Sequence, residues 1–493
     1  MSLILSIDVG TSGTKALLLD EALVPQGAIV SRDTPLERDA SGRAEHDPRR
    51  LREAFVAVCR ETLGGRGDAV GLVVVTSYQF GLVLADAHGV PLTKISTFVD
   101  TRAQHHHPAF AAAVDLEAVS RRTGCPPLFQ YPTARLHRMA SHGDAVLRRA
   151  RHVWDSKAFL LHMLTGRAVT DHSTANSLGC LDLNGRWDAP LIAAVGCDEA
   201  AFPEVVDGTT TRLPLQPAVC DELGLRAGTE VAVGLYDGAA LAAALSGFAA
   251  GVAVGNFGTS GMFRLPMHEP VEDHEAGLVQ SCPLRPGLFF NGAGINNATS
   301  ASNWYLREIL AAPVDRLRTS DLSEPGARGV VCFPYLSGER DSGVGLLGTG
   351  TFFGIRETTT ADDLGRAILE GVACSFRLVQ RLLDPQGRIG ELRIGGGGTA
   401  NLPWMTILAN VLDLPVRISG APEMGIVGAA ALAVCRGDRA ALEARARELT
   451  RDGQLIEPDP PLVARYREIA DRAAAMRREL LPVLRTYHGM PHP

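Results

Sequence analysis

The chain reads as an α/β protein of two domains, and three observations predict it. Short aliphatic and β-branched runs alternate with helical periodicity from the N-terminus onward. A strand, Gly-rich turn and strand occur near residue 10 and again near residue 258, alike in kind though not in detailed sequence, as an internal duplication would leave them. Finally, 493 residues with 46% hydrophobic side chains are ample for more than one core.

The elements follow in order. Residues 3–8, 15–20 and 28–32 are three short strands parted by Gly- or Pro-containing turns. Helical periodicity follows over 47–63, then a buried strand over 70–76 and a strand-like run over 82–86. The mixed stretch 128–188 holds a helix over 156–164 and turns at Gly166 and Asn184-Gly185. A strand at 231–234 leads into a helix over 238–246. The second unit is a strand over 252–257, the turn Gly258-Thr259-Ser260-Gly261, and a strand over 262–265. Thr360 is the N-cap of a helix reaching residue 383, with Asp362 and Asp363 in its first turn. A strand over 391–394 enters Gly395-Gly396-Gly397-Gly398, and a helix over 402–412 leaves it. Residues 425–435 form an Ala-rich helix, and 439–449 and 462–481 are peripheral helices, the last ended by Pro482. The domain boundary falls at 246–251, giving domains 1–247 and 248–493.

Net charge is −7 with acids and bases interspersed, which leaves no electrostatic footprint for nucleic acid and points to a small partner. The nine Cys are scattered without metal-knuckle spacing or a compact disulfide framework, and are read as reduced thiols of a cytoplasmic chain. The N-terminus enters a strand without the features of a signal peptide. The apolar stretch 232–255 holds five Gly and Asp237. An Asp at mid-span costs roughly 2.5–3.5 kcal/mol on insertion, so the stretch reads as soluble core and no membrane partner is expected.

Turns rich in Gly, Thr and Ser between strands turn several N–H groups and hydroxyls to one concave surface that suits phosphate oxygens. Three occur here: Asp8-Val9-Gly10-Thr11-Ser12-Gly13-Thr14-Lys15, residues 258–261 and residues 395–398. Each is also ordinary hairpin chemistry taken singly. Asp8, closing an apolar strand, is either a turn-initiating residue or a carboxylate that holds Mg²⁺. Asp237, the sole charge of an apolar Gly/Ala stretch, reads as a helix N-cap, as a general base, or as both, since a helix start also positions a carboxylate firmly. Gly343-Val344-Gly345-Leu346-Leu347-Gly348 spells a dinucleotide fingerprint, but without a strand before or a helix after it is a decoy. His105-His106-His107 does not converge on a metal, and the sequon Asn297-Ala298-Thr299 has no role in such a chain. Only three Lys stand against 45 Arg, and one of them, Lys15, ends the first turn. A compact ammonium there suits a phosphate as a point charge.

The three turns in order, with Gly234-Leu235-Tyr236-Asp237 between the first two, resemble the FGGY family of carbohydrate kinases over residues 3–435, as do Pro334-Tyr335-Leu336-Ser337-Gly338-Glu339-Arg340 and Asn401. The resemblance implies two actin-like, ribonuclease-H-like domains with a cleft between them where ATP and a sugar meet. It implies Asp237 as catalytic base and Asp8 as the Mg²⁺-associated carboxylate. Thr11, Ser12 and Lys15 would face the ATP phosphates, Gly258 and Thr259 the phosphates from the other side, and Gly397 and Asn401 the adenosine.

On the sugar side, Phe98 with Asp100-Thr101-Arg102 resembles the family's W-x-D-x-R stretch, and Ser77-Tyr78-Gln79-Phe80-Gly81 falls where xylulokinases show G-Q-M-H-G. Gln79, Phe80, Phe98, Asp100 and Asp237 are therefore the expected sugar contacts. Phe98 stands for a Trp, Gln79 and Phe80 for Met and His, and Asn410 for a frequent Asp. D-xylulose is the expected substrate, with gluconate or another pentulose, hexulose or polyol as the alternative. A non-enzymatic nucleotide-binding sugar sensor is the reading from another class. A homodimer is the family-based expectation.

Overall fold

A computed structural model describes residues 2–271, 277–313, 316–319, 322–340, 344–345, 348–419 and 423–489. Gly343, Leu346 and Leu347 of the decoy motif lie outside them.

The first half is built on a six-stranded sheet. Strand β1 (Leu3–Val9) turns into antiparallel β2 (Gly13–Leu19), which pairs with β3 (Val30–Asp33). Helix α1 (Pro48–Leu63) starts where Asp47 accepts hydrogen bonds from the Arg49 and Arg50 N–H groups and stops at the left-handed Gly64. It leads to β4 (Val70–Ser77), parallel to β1. Helices α2 (Ser156–Thr165) and α3 (His172–Asn176) precede β5 (Arg212–Pro214) and β6 (Glu230–Ala232). The sheet order is β5-β6-β4-β1-β2-β3.

Helix α4 (Asp237–Ser246) then crosses to the second half, whose strands are β7 (Val252–Phe257), β8 (Gly261–Met267), β9 (Gln280–Arg285) and β10 (Leu288–Ile295). Beyond them come α5 (Ala361–Leu383), β11 (Glu391–Gly395), α6 (Leu402–Leu412), β12 (Val416–Ile418), α7 (Met424–Cys435), α8 (Arg439–Thr450), β13 (Gln454–Ile456) and α9 (Pro460–Gly489). Their sheet order is β9-β10-β8-β7-β11-β12-β13. The pairing repeats that of the first half, with β9 as one added edge strand: an antiparallel trio, a parallel neighbour to its first strand, another parallel strand, and an antiparallel edge. The duplication reaches further into the sequence than expected, because both units close with the same tetrapeptide Gly-Thr-Ser-Gly.

The apolar stretch 232–255 resolves into the end of β6, α4 and β7, and no helix among the described residues is long and apolar enough to cross a membrane. Its Ala and Gly serve close packing. A Cβ at Gly428 of α7 would sit 1.9 Å from the Ala240 carbonyl oxygen of α4, so the two helices meet backbone to backbone. Around this contact one buried cluster draws on both halves, including Ile4, Leu17, Ala239, Phe290 and Ile426.

Two expectations need correction. Pro482 does not end the last helix, which continues to Gly489 with the proline inside it. The ring removes one helical hydrogen bond, but Pro482 and Arg478, whose carbonyl it frees, are exposed to water, while Leu480 and Leu484 anchor the helix in the core. Asp237 is not the N-cap of α4 but its first residue, after Tyr236, and its Oδ1 accepts from the Gly238 N–H at 2.7 Å. Its carboxylate is therefore not committed to capping the helix. Two of the side issues resolve structurally: buried Asn297 donates to the Gly338 carbonyl (2.7 Å) and accepts from the Ser337 N–H (3.0 Å), and His106 pairs with His137 at 2.9 Å.

Candidate active site

The carboxyl ends of β1 and β7, the start of α4 and the glycines after β11 meet around a cleft cavity of about 740 Å³. Of the residues expected from the sequence, Asp8, Thr11, Gln79, Phe80, Phe98, Asp237 and Gly397 line it. Ser12, Lys15, Gly258, Thr259, Asp100 and Asn401 are not among its lining residues, and of these Ser12 and Thr259 are exposed.

Two carboxylates dominate the middle of the cleft. Asp8 Oδ1 is buried without a hydrogen-bond partner. Burial lifts the Asp8 carboxyl to about 7, assisted by the charge of Asp237 and opposed by Lys15. Burial likewise lifts Asp237 to about 6, against the Gly238 N–H and the charge of Lys157. Two acids held this high are expensive to ionise together, and an added cation would reverse that.

At one end of the cleft, the segment after β4 is tied down from several sides. Phe80 has the left-handed φ of 64°, which costs a non-Gly residue roughly 1–2 kcal/mol. Its N–H donates to Ser177 Oγ at 3.0 Å and its carbonyl accepts from Arg135 at 2.7 Å, so the strained geometry is held and the ring faces the cavity against Tyr131. Gln79 donates to the Ser173 carbonyl at 3.2 Å. His46 joins this segment to the first turn: Nε2 donates to the Thr11 carbonyl (3.0 Å), which leaves Nδ1 to accept from Tyr78 Oη (3.4 Å). Burial holds the His46 pKa below its usual range, as this neutral tautomer requires. Asp100 does not reach the cavity; it binds Arg102 (2.6 Å) and the Ala44 N–H (3.2 Å) and so braces the loop that presents Phe98.

The glycine turns occupy the other end. Gly395, Gly396 and Gly397 line the cleft, and a Cβ on Gly395 or Gly397 would meet nothing within 4 Å. Packing does not demand glycine at these two positions; its effect is to keep the cleft open and the backbone approachable. Gly396 differs, with φ 104° and a Cβ position 2.7 Å from Asn256 Oδ1. Asn401 spends its side chain as the N-cap of α6, accepting from the Trp404 N–H at 3.1 Å. The Gly258 and Thr259 carbonyls receive the N–H groups of Thr299 and Ala298, fixing the second turn against the helix that starts at Thr299. Lys15, beside Asp8 across the hairpin, makes an ion pair with Glu423 at 2.6 Å.

Sequence reasoning missed several members. Asn256 stands in the second unit where Asp8 stands in the first, a match readable from the shared tetrapeptide. Arg264 and the contact partners of Arg340 carried no signal, because a lone Arg in a strand says nothing of its face. Behind Asp237 lies a buried ion pair, Lys157–Asp171 at 2.8 Å. Asp171 also accepts from Thr174 Oγ1 (2.5 Å) and from Ser173 Oγ, and Ser173 Oγ accepts the Tyr236 N–H at 3.2 Å. The pair thereby anchors the residue preceding Asp237. Asn410 has a structural part, accepting from the Asp459 N–H at 2.7 Å at the root of α9.

Residues 3–245 match the N-terminal domain of the FGGY family of carbohydrate kinases, and residues 253–436 match its C-terminal domain. The chain is 28% identical to the xylulose kinase of Streptomyces rubiginosus over 493 residues, covering 98% of this chain and 97% of that protein. It is 23% identical to the gluconokinase of Bacillus subtilis over 450 residues, 87% of each. The crystal structure of gluconate kinase from Lactobacillus acidophilus superposes with a TM-score of 0.90 at 22% identity, covering 99% of both chains, which establishes the two-domain actin-like, ribonuclease-H-like fold.

Proposed function

The chain belongs to the FGGY family of carbohydrate kinases, and from that premise we propose that it transfers the γ-phosphoryl group of ATP to a terminal hydroxyl of a small open-chain sugar, with Asp237 as the base. The observation that carries this reading is the pair of raised carboxylates, Asp8 and Asp237, in one cavity between two Gly-Thr-Ser-Gly turns.

Asp237 accepts the proton of the sugar hydroxyl as its oxygen bonds to the γ-phosphorus and the bond to the ADP oxygen breaks. A carboxylate near 6 is ionised at neutral pH yet basic enough to take that proton. Thr11 and Ser12 on one side and Thr259 on the other offer backbone and hydroxyl donors to the phosphates, while Gly258, whose N–H closes the turn onto the Ser260 carbonyl, keeps that approach free of a side chain. Lys15 adds a positive charge next to Asp8, and the open backbone at Gly397 receives the adenosine, with Asn401 holding the helix behind it. Mg²⁺ fits the unpartnered, buried Asp8 Oδ1, and when bound it would neutralise phosphate charge. Gln79, Phe80 and Phe98 border the sugar, and Asp100 supports Phe98 from behind. A homodimer in the cytoplasm completes the reading.

D-xylulose and gluconate both supply a terminal hydroxyl and differ at the far end, where one is neutral and the other carries a carboxylate. The test is sugar-dependent ADP release measured over a panel of pentuloses, hexuloses, polyols and gluconate. Asp237→Ala is expected to lower kcat by about 10²–10⁴-fold, the span of general-base catalysis. Near-normal turnover in both Asp237→Ala and Asp8→Ala would refute the mechanism, and ATP binding without sugar-dependent turnover would favour a sensor.

A further inference from the structure

We infer that the sugar end of the cleft is built for an anionic substrate, a straight-chain sugar acid whose carboxylate meets the guanidinium groups of Arg264 and Arg340. The inference rests on the kinase reading and assigns the substrate class of its acceptor site.

Both arginines line the cavity. Arg264 is only 6% exposed; Nη1 donates to the Phe290 carbonyl (2.9 Å), Nη2 to Gln280 Oε1 (2.6 Å), and Nε is buried without a partner. Arg340 donates from Nε to Asn296 Oδ1 (2.8 Å) and lies over the Phe98 ring, 5.3 Å from its centre. Among the described residues neither forms an ion pair. The carboxylate next to Arg340, Glu339, accepts the backbone N–H groups of Asn296 (2.7 Å) and Arg340 (2.9 Å). A buried cation and a half-buried one thus share one wall, fixed by neutral acceptors and an aromatic face.

The sheet makes room for them. Gly292 and Gly294 of β10 lie opposite Arg264 and Met262 of β8. A Cβ at 292 would fall 2.6 Å from Arg264 Cγ, and one at 294 would fall 2.7 Å from Arg340 Nη1. Two side-chain-free positions on one strand are therefore filled by guanidinium side chains. Arg264 is also tied to the acceptor end: its partner Gln280 donates to Asn176 (3.0 Å) on α3, the helix whose Ser173 carbonyl receives Gln79.

The cleft is consequently polarised. Asp8 and Asp237 stand where the phosphoryl group is transferred, and the two arginines stand toward Phe98 and Gln280. A neutral sugar would leave the buried guanidinium of Arg264 without a counter-charge, which is costly, whereas a carboxylate accepts charge-assisted hydrogen bonds from both arginines. Charge at the far end also fixes which terminus of the substrate reaches Asp237.

The test compares D-gluconate with D-glucitol, the same carbon chain with a hydroxymethyl group in place of the carboxylate, and with D-xylulose, by ADP release and by equilibrium binding without ATP. Gluconate is expected to exceed both in kcat/KM by about 10²-fold, as unpaired buried charges discriminate. In Arg264→Met the gluconate-to-glucitol ratio should collapse toward unity, chiefly through KM, and Arg264→Lys should restore part of it. A ratio unchanged in Arg264→Met would make Arg264 a structural residue and overturn the inference. So would a preference for D-xylulose or glucitol, with the kinase reading intact. If no compound drives ADP release, the kinase reading falls, and tighter binding of gluconate than of glucitol still decides the substrate class.

Discussion

The two halves of the chain close their first hairpin with one tetrapeptide, Gly10-Thr11-Ser12-Gly13 and Gly258-Thr259-Ser260-Gly261, yet two residues before the turn one carries Asp8 and the other Asn256. Both side chains line the same cavity. The carboxylate is lifted to about 7 and left without a partner, whereas the amide bears no charge to lift. The hairpins also close differently. In the first, Gly10 N–H reaches the Gly13 carbonyl and Val9 pairs with Thr14; in the second, Gly258 N–H reaches the Ser260 carbonyl and Phe257 pairs with Gly261. A loop shorter by one residue shifts the following strand by one, which exchanges its faces. Asp8 stands opposite Lys15, but Asn256 stands opposite Met262. The lesson is that a duplicated backbone can give one half the acid and its cation and the other half a neutral wall.

The strongest way to break the contrast is to make the first turn like the second. Asp8→Asn is expected to lower kcat by about 10²-fold or more with saturating Mg²⁺, the scale of a lost electrostatic contact at phosphoryl transfer. The same variant should be the more stable apo-protein at pH 8. A carboxyl raised when folded binds more protons folded than unfolded between 3.8 and about 7, so its stabilisation falls as pH rises through that window, and Asn removes the dependence. Thermal unfolding at pH 5 and pH 8 checks the sign. Next in size is the pH profile: kcat/KM should fall about tenfold per unit below about 6 as Asp237 takes up its proton, and a flat profile between pH 5 and 7 would remove Asp237 as the base. The reciprocal change, Asn256→Asp, adds a further acid to a cavity already lined by Asp8, Asp237 and Glu423 and should raise the KM for ATP by about tenfold with a smaller change in kcat. Smallest is Lys15→Arg, expected to cost a few-fold in kcat/KM for ATP because a planar guanidinium replaces a point charge held by Glu423. Full activity would return Lys15 to the background.

Much of this was legible beforehand where the signal is local. Asp47-Pro48 and Gly64 bracket α1, and Thr360 with Asp363 forms the capping box of α5. Asp8 and Asp237 were readable because a charge in an apolar run demands an explanation. Asn401 and Asp100 are site residues by resemblance alone, and the structure shows their side chains occupied by Trp404 and by Arg102. The ion pair of Lys15 joins residues 408 positions apart, and no local pattern encodes such a meeting.

The sequence by itself determined the α/β class, the repeated glycine turns and the two acids, because strand and helix periods, caps and lone charges are set by neighbours along the chain. Only the tertiary structure decided which side chains the second half turns into the cleft. By analogy with Lys15 opposite Asp8, Phe263 would stand opposite Asn256; the one-residue shift in register puts Met262 there instead, turns Met262 and Arg264 to the cleft and sends Phe263 into the core. A strand's alternation fixes which residues share a face, but which face meets the ligand is fixed by pairing with a distant strand.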